Sequence, residues 1–238
     1  MSFTVSYSHC TLRALLIVLT FTVLVGIIPD KAWSQDSSSR LEVIEDLSES
    51  LANDLLQLSI ATRDGDFQMT AQYFPASFTA SPFPFRPTSV KTQVKWIRSH
   101  AWETEGAIPS NGLGKTTNAE FLKNWKVFLE HFSEIEDVRF KVKEANFDEK
   151  AKAVVGAEQP TAVVGASGRS RIAFYVIGRD INGKREWARG TLNANVRFDA
   201  NKHWQFDSFE LLSLDSMVAE TDLFSEVAVP AGVSSSLP

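Results

Sequence analysis

The sequence predicts an α+β fold, with about three N-terminal helices followed by an antiparallel meander of strands. Two observations carry this. Apolar side chains recur at helical spacing through Phe132, and at a spacing of two from Val138 onward. Two turn-forming stretches, "INGK" and "DANKH", then divide the alternating part into the segments an antiparallel meander needs.

At the N-terminus, Arg13 precedes the uncharged run "ALLIVLTFTVLVGII", Ala14 to Ile28, and Pro29 ends it. Ala32 and Ser34 are the small residues expected at positions −3 and −1 of a cut before Gln35. Fifteen helical residues span about 22 Å, short of the roughly 30 Å hydrocarbon core. Residues 1–34 therefore read as an export signal, leaving a periplasmic or extracellular chain that does not span the membrane. An uncleaved N-terminal anchor is the alternative. The single cysteine, Cys10, lies ahead of the apolar run, so it is not placed as a lipoprotein acceptor. The mature chain has no disulfide and must rest on its core. Cleavage leaves 22 basic and 28 acidic side chains, a net charge of −6. This mildly acidic balance, without a basic block, argues against nucleic acid or an anionic membrane as the main partner.

Residues 35–39, "QDSSS", read as a linker, with Ser39 and Glu42 spaced as a capping box. The first helix carries Ile44, Leu47, Leu51, Leu55 and Leu58 on one stripe, and Asp64-Gly65-Asp66 breaks it. Phe67, Thr70, Ala71 and Phe74 mark a short second helix before Pro75. Pro82, Pro84 and Pro87 exclude a helix or a central strand. Val90, Val94 and Trp96 alternate with polar residues as a half-buried strand would. Thr117 and Glu120 open a third helix, striped by Phe121, Leu122, Trp125, Phe128, Leu129 and Phe132. Alternation follows in Val138–Val142. "AKAVVGA" and "TAVVGAS" read as neighbouring sheet segments. "RIAFYVIG" and "REWARGTLNANVRF" form a hairpin across Asn182-Gly183, and "WQFDSFELLSL" is the last strand.

The leucine-striped helix, the "RDGDF" break, the helix ending in an aromatic, and the long strands closed by "DANKHWQF" resemble the nuclear transport factor 2-like superfamily, including its SnoaL-like members. The resemblance covers roughly residues 40–217. It implies a cone, with a bent sheet around three helices and often a pocket inside. The tail, residues 218–238, contains "LFSEVAVPAGV", which is similar to the lead-in of the FG-GAP/VCBS repeats in ASPIC/UnbV-type secreted proteins. Phe224, Glu226, Val227, Ala231, Gly232 and Val233 carry that similarity. The aspartate-rich repeats of that family do not follow, so the tail reads either as the truncated start of a propeller module or as a loose end.

Several motifs are rejected on chemistry. "PSNGLGKTTNAEF" lacks the glycine a phosphate-binding loop needs five residues before Gly114, where Pro109 stands. His100, His131 and His203 have no paired spacing and no cysteine partners, so neither a metal nor another cofactor is expected. "GASGRS" does not centre a serine between the glycines of a hydrolase elbow.

What remains is a short set of candidates. The face Ala188, Gly190, Leu192, Ala194 and Val196 should meet the helices, and its small residues leave room. Trp125, Phe128, Phe132, Ala188 and Gly190 are therefore the ligand-pocket candidates, or simply core. His131, Asp207 and Glu210 are the acid–base candidates, or simply surface. The leading expectation is an exported, non-catalytic domain that binds a protein module or a small apolar ligand. The alternative is an isomerase, dehydratase or cyclase using acid–base residues in the cone. A monomer is favoured over a homodimer, because Arg185, Arg189 and Arg197 would face their own copies across a symmetric sheet contact.

Overall fold

No proline or glycine occurs between Lys31 and Asp64, so nothing there interrupts a helix. In the structure, a computed structural model, one helix, α1, runs Lys31–Arg63. Described residues are 31–84, 86–87, 89–94, 96–102, 116–154 and 161–220. The chain divides into two units, Met1–Glu42 and Val43–Pro238, and the fold and site below belong to the second. Gln35–Ser39 is helical rather than a linker, and Ser39 lies inside α1 rather than at its start. Among the described residues, no helix is long and apolar enough to cross a membrane.

Leu47, Leu51, Leu55 and Leu58 are each 1% exposed or less, so the leucine stripe is the buried face of α1. Gly65, at φ +71°, turns the chain out of the helix. Asp66 then caps α2, Phe67–Gln72, by accepting the Met69 N–H at 2.9 Å. The proline-rich stretch supplies β1, Thr79–Ala80, and inserts Phe83 into the core at 2% exposure. The strand expected through Trp96 is instead a hairpin, β2 Ser89–Gln93 and β3 Ile97–Ala101, turning at Val94–Ile97. Val90, Val94 and Trp96 are consequently exposed, not half-buried.

After β4, Thr116–Thr117, the expected capping box opens α3, Asn118–Leu129. The Thr117 N–H donates to Glu120 while Thr117 Oγ1 accepts the Glu120 N–H. Phe121, Trp125, Phe128 and Leu129 are buried. Phe132, expected on the same helical stripe, begins β5 instead, Phe132–Phe147. Between β5 and β6, only an isolated bridge, Ala153↔Ala162, falls among the described residues of the two "AVVGA" runs.

β6 Ser167–Asp180, β7 Arg185–Phe198 and β8 Trp204–Ala219 complete an eight-stranded sheet. Its path is β2-β3-β8-β7-β6-β5, antiparallel throughout except that β1 joins β8 in parallel. The inward residues of β6 and β7 alternate with outward ones along their full length, as the spacing of two requires. Bulges interrupt β5–β6 three times and β7–β8 twice, and each adds local bend and twist. The sheet therefore curls around the helices, as the cone resemblance implies. β8 extends through Ala219, five residues past the expected end near Leu214; the tail similarity of residues 221–238 lies outside the described residues.

Two hairpin loops share one construction. In "DINGK" the Gly183 N–H donates to Asp180 O, the Asp180 N–H donates to Lys184 O, and Asp180 Oδ1 accepts from both Asn182 and Lys184. "DANKH" repeats each of these bonds around Asp199. Only the fourth residue is left-handed in each: Gly183 at φ +76° and Lys202 at φ +64°. Asn182 is not, so the expected pair of positive-φ residues reduces to one. Lysine at that position carries the strain glycine avoids. Lys202→Gly is expected to stabilise the fold by about 1 kcal/mol, read as a higher urea midpoint at unchanged slope.

Candidate functional site

Glu186 is the first inward residue of β7. It stands opposite Gly178 of β6 and Val218 of β8, neither of which can pair with a carboxylate. Its partner comes from the other side of the interior. α3 ends at Leu129, and His131 follows with its N–H bonded to Phe128 O at 3.2 Å. The His131 Nε2 stands 2.7 Å from Glu186 Oε2. The Glu186 side chain is 1% exposed and that of His131 20% exposed. Glu186 Oε1 has no hydrogen-bond partner among the described residues.

The surroundings position this pair. The Trp102 and Phe132 rings meet the imidazole edge-to-face, at centroid distances of 5.0 and 5.4 Å. Trp102 donates its Nε1–H to Ser216 Oγ at 3.0 Å. Register places His100, Ser216 and Ala188 in one row, with Arg98, Val218 and Glu186 in the next row on the same face. Burial, and then Arg98, holds His100 below its ordinary imidazole value, with the Glu186 carboxylate opposing. Arg98 itself lies 3.2 Å from Glu220, which also pairs with Lys184.

Glu186 was not among the expected site residues. It extends the inward face Ala188–Val196 by one step, beside the turn. The signal was present, since residue 186 has the parity of 188. His131 was placed on the helix flank as a surface residue. The chain leaves the helix before it and carries it inward. The other acid–base candidates face outward. Asp207 is the extra residue of the bulge between Asn195↔Ser208 and Val196↔Phe206, and it receives Arg197 at 2.8 Å. Glu210, opposite Asn193, is exposed. These bulges explain why alternation fails in the last strand.

The ligand-pocket candidates are core. Trp125, Phe128, Phe132 and Ala188 are buried in one cluster with the leucines of α1. Phe83 meets Phe121, Trp125 and Phe128 edge-on at 5.8, 5.2 and 5.5 Å. A cavity of about 10 Å³ remains among Leu58, Trp125, Phe174, Phe206 and Phe209, room for one water at most. Gly190 leaves no space for a ligand, because Phe174 fills it: an added Cβ would stand 2.3 Å from Phe174 Cε1.

A half-buried acid lies elsewhere in the unit. Asp54 of α1 accepts the Trp204 N–H, and Trp204 Nε1 donates to Ser50 Oγ at 3.1 Å. Burial pushes the Asp54 carboxyl above its ordinary value, against the lowering effects of the Trp204 N–H and His203. Tyr73 is pushed up to about 12 by burial and by Asp54. A carboxyl raised in the folded state contributes stability that is complete below its unfolded value and is lost as pH rises through its folded value. Asp54→Asn keeps an acceptor for Trp204 without the charge. Its stability relative to wild type is therefore expected to improve between about pH 4 and pH 7, measured by urea unfolding at several pH values.

Among the described residues, no cluster of three or more His, Asp, Glu or Cys is placed to hold a metal. Arg185 and Arg197 are paired within the chain, to Glu136 at 3.0 Å and Asp207 at 2.8 Å. Two of the three charges invoked against a sheet-to-sheet dimer are thus already matched.

No family model matches the chain, and no curated protein matches it. Solved structures similar to it include a scytalone dehydratase candidate from Novosphingobium aromaticivorans, at TM-score 0.40 and 12% identity, covering 81% of this chain and 93% of that one. A ketosteroid isomerase-like protein from Erwinia carotovora atroseptica has TM-score 0.37 and 10% identity, covering 70% and 97%. ActVI-ORFA from Streptomyces coelicolor has TM-score 0.33 and 12% identity, covering 71% and 96%. At these scores and identities the likeness says nothing about chemistry.

Proposed function

We propose that this domain carries out acid–base chemistry on a small molecule at His131, in a reaction of the isomerase, dehydratase or cyclase type. One observation carries the reading: a fully buried carboxylate, Glu186, is held 2.7 Å from a histidine that keeps a fifth of its side chain exposed. A carboxylate only accepts hydrogen bonds, so Nε2 carries the hydrogen and Nδ1 presents a lone pair. Glu186 then fixes the tautomer and stabilises the imidazolium that forms when Nδ1 takes a proton. The cone resemblance taken with the terminal stretch ranks non-catalytic binding first. The pair reverses that order, because burying a carboxylate is costly and a structural role would be met as well by an apolar residue.

The test is deuterium exchange at carbon next to a carbonyl, followed by proton NMR across a panel of simple ketones in deuterated buffer. Catalysed exchange that falls about 10²- to 10⁴-fold in His131→Gln is the expected result. Glutamine can still donate to Glu186, so the fold is kept. No exchange above buffer, or exchange indifferent to His131, overturns the reading. The second reading, binding of a protein module, draws on the apolar side chains exposed along the β2–β3 hairpin: Val90, Val94 and Trp96. Loss of a partner on Val94→Asp with exchange unaffected would favour it.

Export is proposed on the sequence alone, since the apolar run lies outside the described residues. Intact mass spectrometry of the periplasmic or secreted protein should show a chain beginning at Gln35. A mass that includes residues 1–34 would indicate the anchored alternative.

A further inference from the structure

We infer that His100 is a second catalytic residue of the His131 site, donating its imidazole N–H to the carbonyl oxygen of a substrate whose α-carbon faces His131. This deepens the proposed function and rests on it, and the experiment below separates the failure of one from the failure of the other.

The sheet sets the position. His100 lies on the inner face of β3, opposite Ser216 of β8 on one side and Val90 of β2 on the other. Trp102, two residues further along the same face, donates to that Ser216 and meets the His131 ring at 5.0 Å. Side chains two residues apart on a strand stand about 7 Å apart, so the two imidazoles flank one corner of the inner face. The charges of Glu186 and His131 both act on His100, as those of close neighbours do. This corner is open to solvent. Val90, beside His100 on the edge strand, is 52% exposed, His100 is partly exposed, and His131 keeps 20% of its side chain exposed. A small ketone can therefore touch both rings without entering the filled core.

The other donors nearby are engaged. Trp102 gives its indole N–H to Ser216, and the Arg98 guanidinium stands 3.2 Å from Glu220. No described residue bonds the His100 ring. Burial, and then the Arg98 charge, hold His100 below its ordinary imidazole value, so it donates as a neutral group. In the step itself, His131 Nδ1 takes a proton from the α-carbon. The C–H electron pair becomes a C=C bond, and the carbonyl π pair moves onto oxygen. The His100 N–H bonds that oxygen more strongly as its negative charge develops. The imidazolium then trades its proton for solvent deuterium and returns it to carbon, restoring the ketone. The competing arrangement has His100 donating to Glu186 Oε1, which would make it a support for the carboxylate.

The test extends the deuterium-exchange assay to His100→Phe and His100→Gln, with kcat and KM measured separately on the ketone that wild type exchanges fastest. His100→Phe should lower kcat about 10²- to 10³-fold with KM within about threefold, as loss of a donor used only in the transition state does. His100→Gln keeps a donor and should recover at least about tenfold of that loss. Both variants should keep the wild-type urea midpoint. Exchange unchanged in His100→Phe, or an equal loss in both variants, overturns the inference and leaves the chemistry at His131 standing. So does a kcat loss that follows a fallen urea midpoint, the mark of a residue that only supports Glu186. A wild type that exchanges no ketone sinks both. One measurement needs only wild-type protein and stands if the variants fail to fold. With histidine labelled by nitrogen-15, the same ketone should shift the His100 ring nitrogens saturably, and their indifference to it overturns the inference.

Discussion

Replacing His131 with alanine should destabilise the protein by about 3 kcal/mol at neutral pH, among the largest effects of any single side chain here. The cost comes from what is left behind. Glu186 is 1% exposed, its Oε1 has no partner among the described residues, and its Oε2 would lose its bond to His131. Removing one member of a buried pair strands the other without water or a partner. The double variant His131→Ala, Glu186→Met removes the stranded charge and should recover most of the loss. Glu186→Met alone should cost much less than His131→Ala, because a half-buried imidazole can still be solvated. Urea unfolding of the four proteins gives the cycle directly. A His131→Ala cost under about 1 kcal/mol, or no recovery in the double variant, would mean the carboxylate is not held as described.

The second large effect is steric. Gly190→Val should cost about 3 kcal/mol or prevent folding. A Cβ at residue 190 would lie 2.3 and 2.4 Å from Phe174 Cε1 and Cζ and 3.0 Å from Ser213 O. Phe174 cannot retreat, since Phe83, Trp125 and Phe140 hold its ring at 6.3, 5.8 and 5.7 Å. Gly190→Ala combined with Phe174→Leu should cost less than the sum of the two single changes, because each relieves the crowding or the void left by the other. Strict additivity in that cycle would show that residue 190 does not serve as the recess for the ring.

Local rules explain why much of the architecture was readable. The leucines of α1 sit one turn apart, the Thr117–Glu120 box needs only four residues, and alternation in β6 and β7 follows from the pleat. Each depends on neighbours within one turn or one strand. One reading failed for a local reason, and the others failed where the decisive contact came from far along the chain. Gln35–Ser39 was expected to be a linker because serines favour caps, but no breaker stands nearby and the helix continues through them. Phe132 continues the helical spacing of α3, yet pairing with Asp180 draws it into β5. Phe83 sits among prolines and has no periodic neighbours, so nothing local marks it as a residue of the aromatic core.

The candidate site shows the same division. His131 was visible as one of four histidines in the chain, and residue 186 had the parity of the inward face. Their meeting was not visible, because 55 residues separate them and no periodicity links the end of a helix to a strand two hairpin arms later. Composition and spacing alone determined an α+β chain, with its helical stripes, one capping box and two hairpin turns. Only the tertiary structure decided that Gly190 is filled by Phe174 and that Asp207 is turned outward by a bulge. It also decided that a carboxylate and an imidazole face one another at the edge of the core. Secondary structure is set by interactions among near neighbours. A site is set by which distant residues the closing of the sheet brings within hydrogen-bonding distance.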